Sequence, residues 1–302
     1  MSSPLITRFA PSPTGSLHLG HAYAAKVAHD FAKQSGGQMV LRIDDIDHTR
    51  CRPVYESQIF ADLAWLGLDY HPQNGNVPRQ SARLAHYQAA LDDLRAQNLV
   101  YPCFLSRREI SEILSAPHQA PGLNPNRQTE YMSSLANTDQ MLSAGEVAKR
   151  RNAGQEPAWR LRMAAAIDLA MDGKTTEPPH LEWGDYFAGP QTTTPEIFGD
   201  LVIARADIAV SYHLCVVVDD AMDQVTLVTR GDDLASSTHL HRLLQKLLGL
   251  PTPAYYHHAL ICDAAGNRLA KRDDARSLAT LRAAGKSPLE VFAMMPPSLE
   301  PL

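Results

Sequence analysis

Two short stretches, one near the start of the chain and one near its end, carry side chains suited to phosphate. Arg8-Phe-Ala-Pro-Ser-Pro-Thr-Gly15 is followed by His18-Leu-Gly-His21. A turn leading from a strand into a helix presents backbone N–H groups to an anion, and Gly15 and Gly20 let a phosphate or base approach the main chain closely. His18 and His21, three apart, lie on one helix face and can donate together to phosphate oxygens. Two plain surface histidines fit the same spacing. The second stretch, Ala265-Gly-Asn-Arg-Leu-Ala-Lys-Arg272, is a glycine turn followed by the cations Arg268, Lys271 and Arg272. Such a loop can fold over a triphosphate and neutralise the departing pyrophosphate. A solvated charge run reads identically, and only co-occurrence with the first stretch tips the balance towards phosphate.

Residues so far apart need a fold to join them. Leu5 to Phe9 reads as a buried strand, Ala10 to Gly15 as a compact turn, and Leu17 to Gln34 as a helix stopped by Gly36-Gly37. Met39 to Ile43 reads as a second strand ending in Asp44-Asp45-Ile46-Asp47. Strand, loop, helix, strand implies an α/β fold whose parallel sheet keeps its ligand crevice at the carboxyl ends of the strands. Ile59, Phe60, Leu63 and Leu66, then Leu84, Tyr87, Leu91 and Leu94, recur at helical spacing and predict two amphipathic helices packed on the core. From Ser106 to Thr194 the pattern degrades into a loop-rich insertion, with Ala158 to Met163 its one convincing strand. Leu201 to Ala204, Ser211 to Val218 and Val225 to Thr229 read as strands completing the sheet, with Asp219-Asp220 turning the chain between the last two. A helix follows from Asp233 to Leu248, ended by Gly249 and Pro251.

Composition sets outer bounds. The 302 residues are 44% hydrophobic and 20% charged with a net charge of −5, which excludes disordered and fibrous classes. No run of about 18 apolar residues occurs and the N-terminus lacks a secretory pattern, so no membrane partner is expected. Cys51, Cys103, Cys215 and Cys262 stand far apart without a C-x-x-C pair, the pattern of reduced, cytoplasmic thiols. The negative balance weighs against non-specific nucleic-acid binding, though a basic face on an acidic body is compatible with it.

Arg8 to His21 resembles the glutamate branch of the class I aminoacyl-tRNA synthetases, in which an R-F-A-P-S-P-T-G turn precedes the HIGH signature, here His18-Leu19-Gly20-His21. Arg268 to Arg272 resembles the KMSKS loop of that family. Leu41 to Asp47, Trp65 to Leu68, Val216 to Asp220 and Arg230 to Leu234 continue the similarity in order, so it spans most of residues 5 to 275. The resemblance implies a Rossmann-like catalytic domain over residues 1–250, interrupted by an acceptor-binding-like subdomain at about 101–195. A C-terminal helical segment, 251–302, would carry the basic loop. Only 30 residues follow Arg272, where complete members carry a long anticodon-binding region. The expected likeness is therefore to truncated members, which activate L-glutamate with ATP and transfer it to queuosine at the wobble position of tRNA(Asp). The alternatives are a shortened enzyme charging a tRNA 3′ end and a non-catalytic glutamate- or tRNA-binding module.

Carried over residue by residue, the resemblance assigns His18, Gly20, His21, Arg268, Leu269 and Lys271 to ATP, with His18, His21 and Lys271 catalytic and Mg2+ accompanying the nucleotide. It assigns Arg8, Ala10, Ser12, Asp44, Tyr212 and Arg230 to glutamate. Guanidinium forks suit carboxylates, and an acid suits the ammonium. Asp44 stands where the family usually has glutamate, one methylene longer, and Asp45 is a neighbour able to assist. Family members often hold zinc through a C-x-C pair with a later tyrosine and cysteine; here Leu105 follows Cys103 at the second position and the next cysteine is Cys215, so no structural zinc is expected. Arg50, Arg52, Arg107, Arg108 and Lys149 to Arg151 have no motif position and read as solvated charge.

Overall fold

Gly37 is the point where the chain can return beside its own first strand. A Cβ there would lie 1.9 Å from the Leu5 carbonyl oxygen. With glycine, the next residue's N–H, on Gln38, donates to that oxygen at 2.9 Å. The computed structural model describes residues 4–72, 75–106, 108–110, 138, 141–171, 181–205, 210–261 and 277–298. In chain order, β1 (Ile6–Phe9), α1 (Leu19–Gln34), β2 (Gln38–Leu41), α2 (Pro53–Leu66), α3 (Leu84–Ala96) and β3 (Val100–Cys103) come first. Then follow α4 (Ala144–Asn152), β4 (Ala158–Leu161), α5 (Met163–Ala170), β5 (Glu182–Asp185), β6 (Gly189–Thr192) and β7 (Val202–Ala204). The remainder comprises α6 (Tyr212–Met222), β8 (Leu227–Gly231), α7 (Ser237–Leu247), β9 (Ala254–His258), α8 (Leu278–Ala283) and α9 (Pro288–Phe292).

β1 and β2 pair in parallel, Ile6 opposite Gln38 and Phe9 opposite Leu41. β8 and β9 pair in parallel, and β5 joins the far side of β9 with β6 antiparallel to it. The Thr226 N–H donates to Ile6 O at 2.8 Å just before β8, tying the two parallel pairs together. This is the α/β arrangement expected from the strand, helix, strand pattern. One core lies where α1 and α2 cover β1 and β2 and where Leu278 and Val291 insert; a second gathers α3, α5, α6 and α7. Among the described residues no helix is long and apolar enough to cross a membrane.

Several expectations need correction. Ser211 to Val218 does not form a strand. Ser211 caps α6, its Oγ accepting from the Leu214 N–H at 3.4 Å. Leu214 to Asp220 are all buried, so the helix shows no polar face, and a short, wholly buried run has no period to separate helix from strand. Asp219 and Asp220 consequently sit inside a helix instead of at a turn. β7 pairs antiparallel with β4 in a sheet with β3, so it does not complete the parallel sheet. The 106–194 stretch holds more order than its composition suggested: α4, α5 and the β5–β6 hairpin join β4. The first helix begins at Leu19, not Leu17, because His18 is its N-cap. Arg150 is not solvated charge: it pairs with Glu109 at 2.8 Å and donates to Phe104 O at 2.8 Å. Arg107 lies outside the described residues.

Candidate active site

The ends of β1, β2, β8 and β9 surround one cavity of about 280 Å3. Arg8 and Phe9 close β1, Arg42 and Asp44 follow β2, Arg230 and Gly231 end β8, and Ala259 to Ile261 follow β9; all line it. This is the crevice position that a parallel α/β sheet offers.

His18, Gly20 and His21 form one wall. The Gly20 N–H donates to His18 Nδ1 at 3.1 Å, and the His18 N–H donates to His21 Nδ1 at 3.2 Å, a reciprocal capping box built from two imidazoles. Accepting at Nδ1 leaves the proton of each neutral ring on Nε2. The rings lie 3.9 Å apart between centroids. A Cβ on Gly20 would meet His18 Cε1 at 3.0 Å, so glycine makes room for the fold-back. Ala10 and Ser12 line the cavity from the turn after β1. That turn is fastened to the second strand by the Asp44 N–H, which donates to Pro11 O at 3.1 Å.

A second part of the lining is ionic. Arg42, fully buried, donates through Nε to Asp44 at 2.8 Å and through Nη1 to Asp220 at 2.9 Å and Asp223 at 3.1 Å. Arg8 Nε meets Asp220 at 3.3 Å while its Nη1 donates to Thr229 O at 2.8 Å. Asp219 accepts from Gln80, Arg83 and the Tyr87 hydroxyl, and Arg83 also pairs with Asp223. Burial opposes the Arg42 charge, but Asp44, Asp219 and Asp220 outweigh it and hold its pKa well above the ordinary value. Burial likewise raises Asp44, to about 6, with Arg42 pulling the other way. Three guanidiniums here face four carboxylates. Of these four carboxylates, Asp44 is the one that lines the cavity, beside Arg8 and Arg42.

Arg230 presents the converse. It is 5% exposed and donates to Thr238 Oγ1 at 2.5 Å, His241 Nδ1 at 3.0 Å and His257 Nε2 at 3.2 Å. Every one of these acceptors is neutral, and among the described residues no carboxylate forms an ion pair with it. Desolvation lowers its pKa. Tyr212, the first residue of α6, is 41% exposed and lines the cavity.

Of the residues singled out by sequence, Arg8, Ala10, Ser12, His18, Gly20, His21, Asp44, Tyr212 and Arg230 therefore meet at one cavity. Arg268, Leu269 and Lys271 lie outside the described residues. Their flanks do not: Ile261 lines the cavity, and Ser277 forms an antiparallel bridge with His18. Asp45 turns away, accepting from Ser81 N at 2.8 Å and Ser81 Oγ at 2.7 Å, so it does not assist Asp44. Cys103 is buried, with the Thr138 hydroxyl donating to its sulfur at 3.2 Å. Among the described residues no group of three or more His, Cys, Asp or Glu could hold a metal ion. Sequence reasoning missed Arg42, Asp219, Asp220 and the histidines around Arg230. Two adjacent acids closing an apolar run were the available signal, since such a pair is buried only against cations.

Comparison with known proteins gives the cavity a lineage. Residues 4–296 match the family described as tRNA synthetases class I (E and Q), catalytic domain. The chain is 45% identical over 291 residues to a glutamyl-Q tRNA(Asp) synthetase of Rhodobacter capsulatus, covering 95% of this chain and 98% of that protein. It is 40% identical over 289 residues to the protein of that name from Symbiobacterium thermophilum, covering 94% and 83%. A crystal structure of the glutamate-tRNA synthetase from Elizabethkingia anophelis superposes with a TM-score of 0.68 at 27% identity, over 90% of this chain and 53% of that one. With residues 4–296 matched by the family model, nearly its whole length, the chain belongs to the class I tRNA synthetases of the glutamate and glutamine type.

Proposed function

We propose that this protein activates L-glutamate with ATP, forming glutamyl-adenylate, and transfers the glutamyl group to queuosine at the wobble position of tRNA(Asp). The observation that carries the reading is the convergence of cations, a carboxylate and the histidine pair on one cavity. Two guanidiniums suited to carboxylates, Arg8 and Arg230, and a carboxylate suited to an ammonium, Asp44, line the same cavity as the two histidines. The near-complete coverage of relatives named glutamyl-Q tRNA(Asp) synthetase supports queuosine as the acceptor.

In the first step a glutamate α-carboxylate oxygen attacks the α-phosphorus of ATP, the bond to the bridging oxygen breaks, and pyrophosphate leaves with the electron pair. Little covalent help is needed, so positioning and charge stabilisation carry the acceleration. His18 and His21 are assigned to the phosphates through Nε2–H. Gly20 lets the nucleotide approach, and Arg268, Leu269 and Lys271 are assigned to it, with Lys271 stabilising pyrophosphate. Ile261 and Ser277 start and end that segment beside the phosphate wall, which supports the assignment. Arg8 and Arg230 take glutamate's carboxylates, Asp44 its ammonium, and Ala10, Ser12 and Tyr212 wall the pocket. Magnesium enters with the nucleotide as counterion to its phosphates. In the second step the acceptor on the modified base attacks the adenylate carbonyl and AMP departs. Because ATP and tRNA are its substrates, we assign the protein to the cytoplasm.

The test is glutamate-dependent ATP–pyrophosphate exchange with and without tRNA, followed by glutamate transfer to tRNA(Asp) with and without queuosine and to tRNA(Glu). Transfer that requires queuosine is expected. Esterification of tRNA(Glu) would select the shortened charging enzyme, and binding without exchange would select a non-catalytic module.

A further inference from the structure

Arg230 has five N–H bonds to place. Nε, Nη1 and Nη2 each spend one, on His257, His241 and Thr238 respectively. One N–H then remains on each terminal nitrogen, available to a carboxylate oxygen. What surrounds the guanidinium decides whether that contact is selective. A carboxylate neighbour would satisfy its hydrogen bonds and its charge together, and an amide ligand would then bind as well as an acid. Neutral acceptors satisfy the hydrogen bonds and leave the charge.

Resting on the glutamate-activating reading above, we propose that His241, His257 and Thr238 are specificity-determining positioning residues, a neutral cage that holds Arg230 with no ion-paired carboxylate among the described residues and so makes the pocket require an anionic group.

The cage is a connected set of donors and acceptors. His241 takes the Arg230 proton at Nδ1, so its own proton lies on Nε2, 3.0 Å from His213 Nδ1, which accepts it. The Thr238 hydroxyl accepts from Arg230 and lies 3.1 Å from His257 Nε2, where its proton shares with Arg230 Nε–H the one lone pair of that nitrogen. Tyr255 places its ring beneath the guanidinium, 5.2 Å from the centroid, adding attraction to the cation without adding negative charge. Burial, reinforced by Arg230 itself, presses His213 and His257 down to about 4 and His241 well below its ordinary value, so the cage stays neutral at physiological pH.

Because the effect is one of charge and not of shape, it is tested by exchanging a neutral acceptor for a charged one at the same place. His241→Glu supplies an internal counterion; His241→Gln keeps a neutral acceptor. The full-length variants are compared by calorimetric binding of glutamate and of glutamine, and by glutamate KM in tRNA-supplemented pyrophosphate exchange. His241→Glu is expected to weaken glutamate at least tenfold in Kd and KM while narrowing its preference over glutamine, and His241→Gln to stay within about threefold of the parent. Thermal melting verifies folding, and Thr238→Asp delivers the same counterion to the other terminal nitrogen should His241→Glu not fold. Unchanged glutamate preference in a folded charged variant, or equal damage from Gln and Glu at position 241, overturns the cage alone. A parent protein with no glutamate-dependent exchange overturns the functional reading beneath it.

Discussion

Gly20 does its work by having no side chain. The His18 imidazole folds back over it to cap α1, so a methyl group there would push the ring out of position. Gly20→Ala is expected to lower the exchange rate about 10- to 100-fold, the scale of one misplaced transition-state donor. The melting temperature should stay close to the parent's, since alanine itself suits a helix. Asp44 makes a prediction about pH. Its folded pKa of about 6 lies above the ordinary carboxylate's 3.8, so the fold favours the protonated form, and ionising Asp44 between those values costs stability as pH rises. Function runs the opposite way, because capture of an ammonium needs the charged form. Glutamate kcat/KM, which reports the free enzyme, should therefore fall about tenfold per unit below pH 6. Asp44→Asn should be poor throughout and lose that limb. A wild-type profile flat from pH 7 to 5 would contradict this role for Asp44.

Helix α6 shows what happens at the scale of an element when charge is placed inside. Asp219 and Asp220 lie on it, Asp223 follows it, and all three are held by Arg42, Arg83 and Arg8 from neighbouring segments. Arg42→Met would strand several buried carboxylates. A loss of about 3–5 kcal/mol, the usual result of removing one partner of a buried ion pair, should appear as a lower urea midpoint. The same helix marks where the sequence was illegible. The start of the chain could be read because Gly36-Gly37, the proline turn and the acidic tract punctuate it with residues of fixed backbone habit. Ser211 to Asp220 offered only a short apolar run, which looks alike as a buried strand and as a buried helix. Its capping serine was ambiguous without the Leu214 partner. Site residues tied to motifs, such as His18 and Arg230, were legible for that reason. The Arg42 network was not, because long-range ion pairs between residues 42 and 219–223 leave no local spacing to detect.

At the scale of the whole molecule, the C-terminal described residues clasp the first two helices and the turn before the first. The Leu278 N–H donates to Leu17 O at 2.8 Å, Arg282 meets the buried Asp62 at 3.1 Å, and the Tyr23 hydroxyl donates to Pro297 O at 3.0 Å. Leu278 is fully buried between these segments. Leu278→Ala should cost about 2–4 kcal/mol, lower the melting temperature by several degrees, and slow exchange by loosening the anchor beside His18. Lys271→Ala should separate the two effects, slowing exchange on the order of 100-fold with no change in melting; unaltered exchange would refute its assignment to pyrophosphate. The guanidinium of Arg42 has the widest reach. It touches Asp44 on one side and Asp220, the partner of Arg8, on the other. The two ends of the amino-acid pocket are thus wired to a common support, so an engineer who retunes the pocket for a different amino acid at either end alone will detune the other.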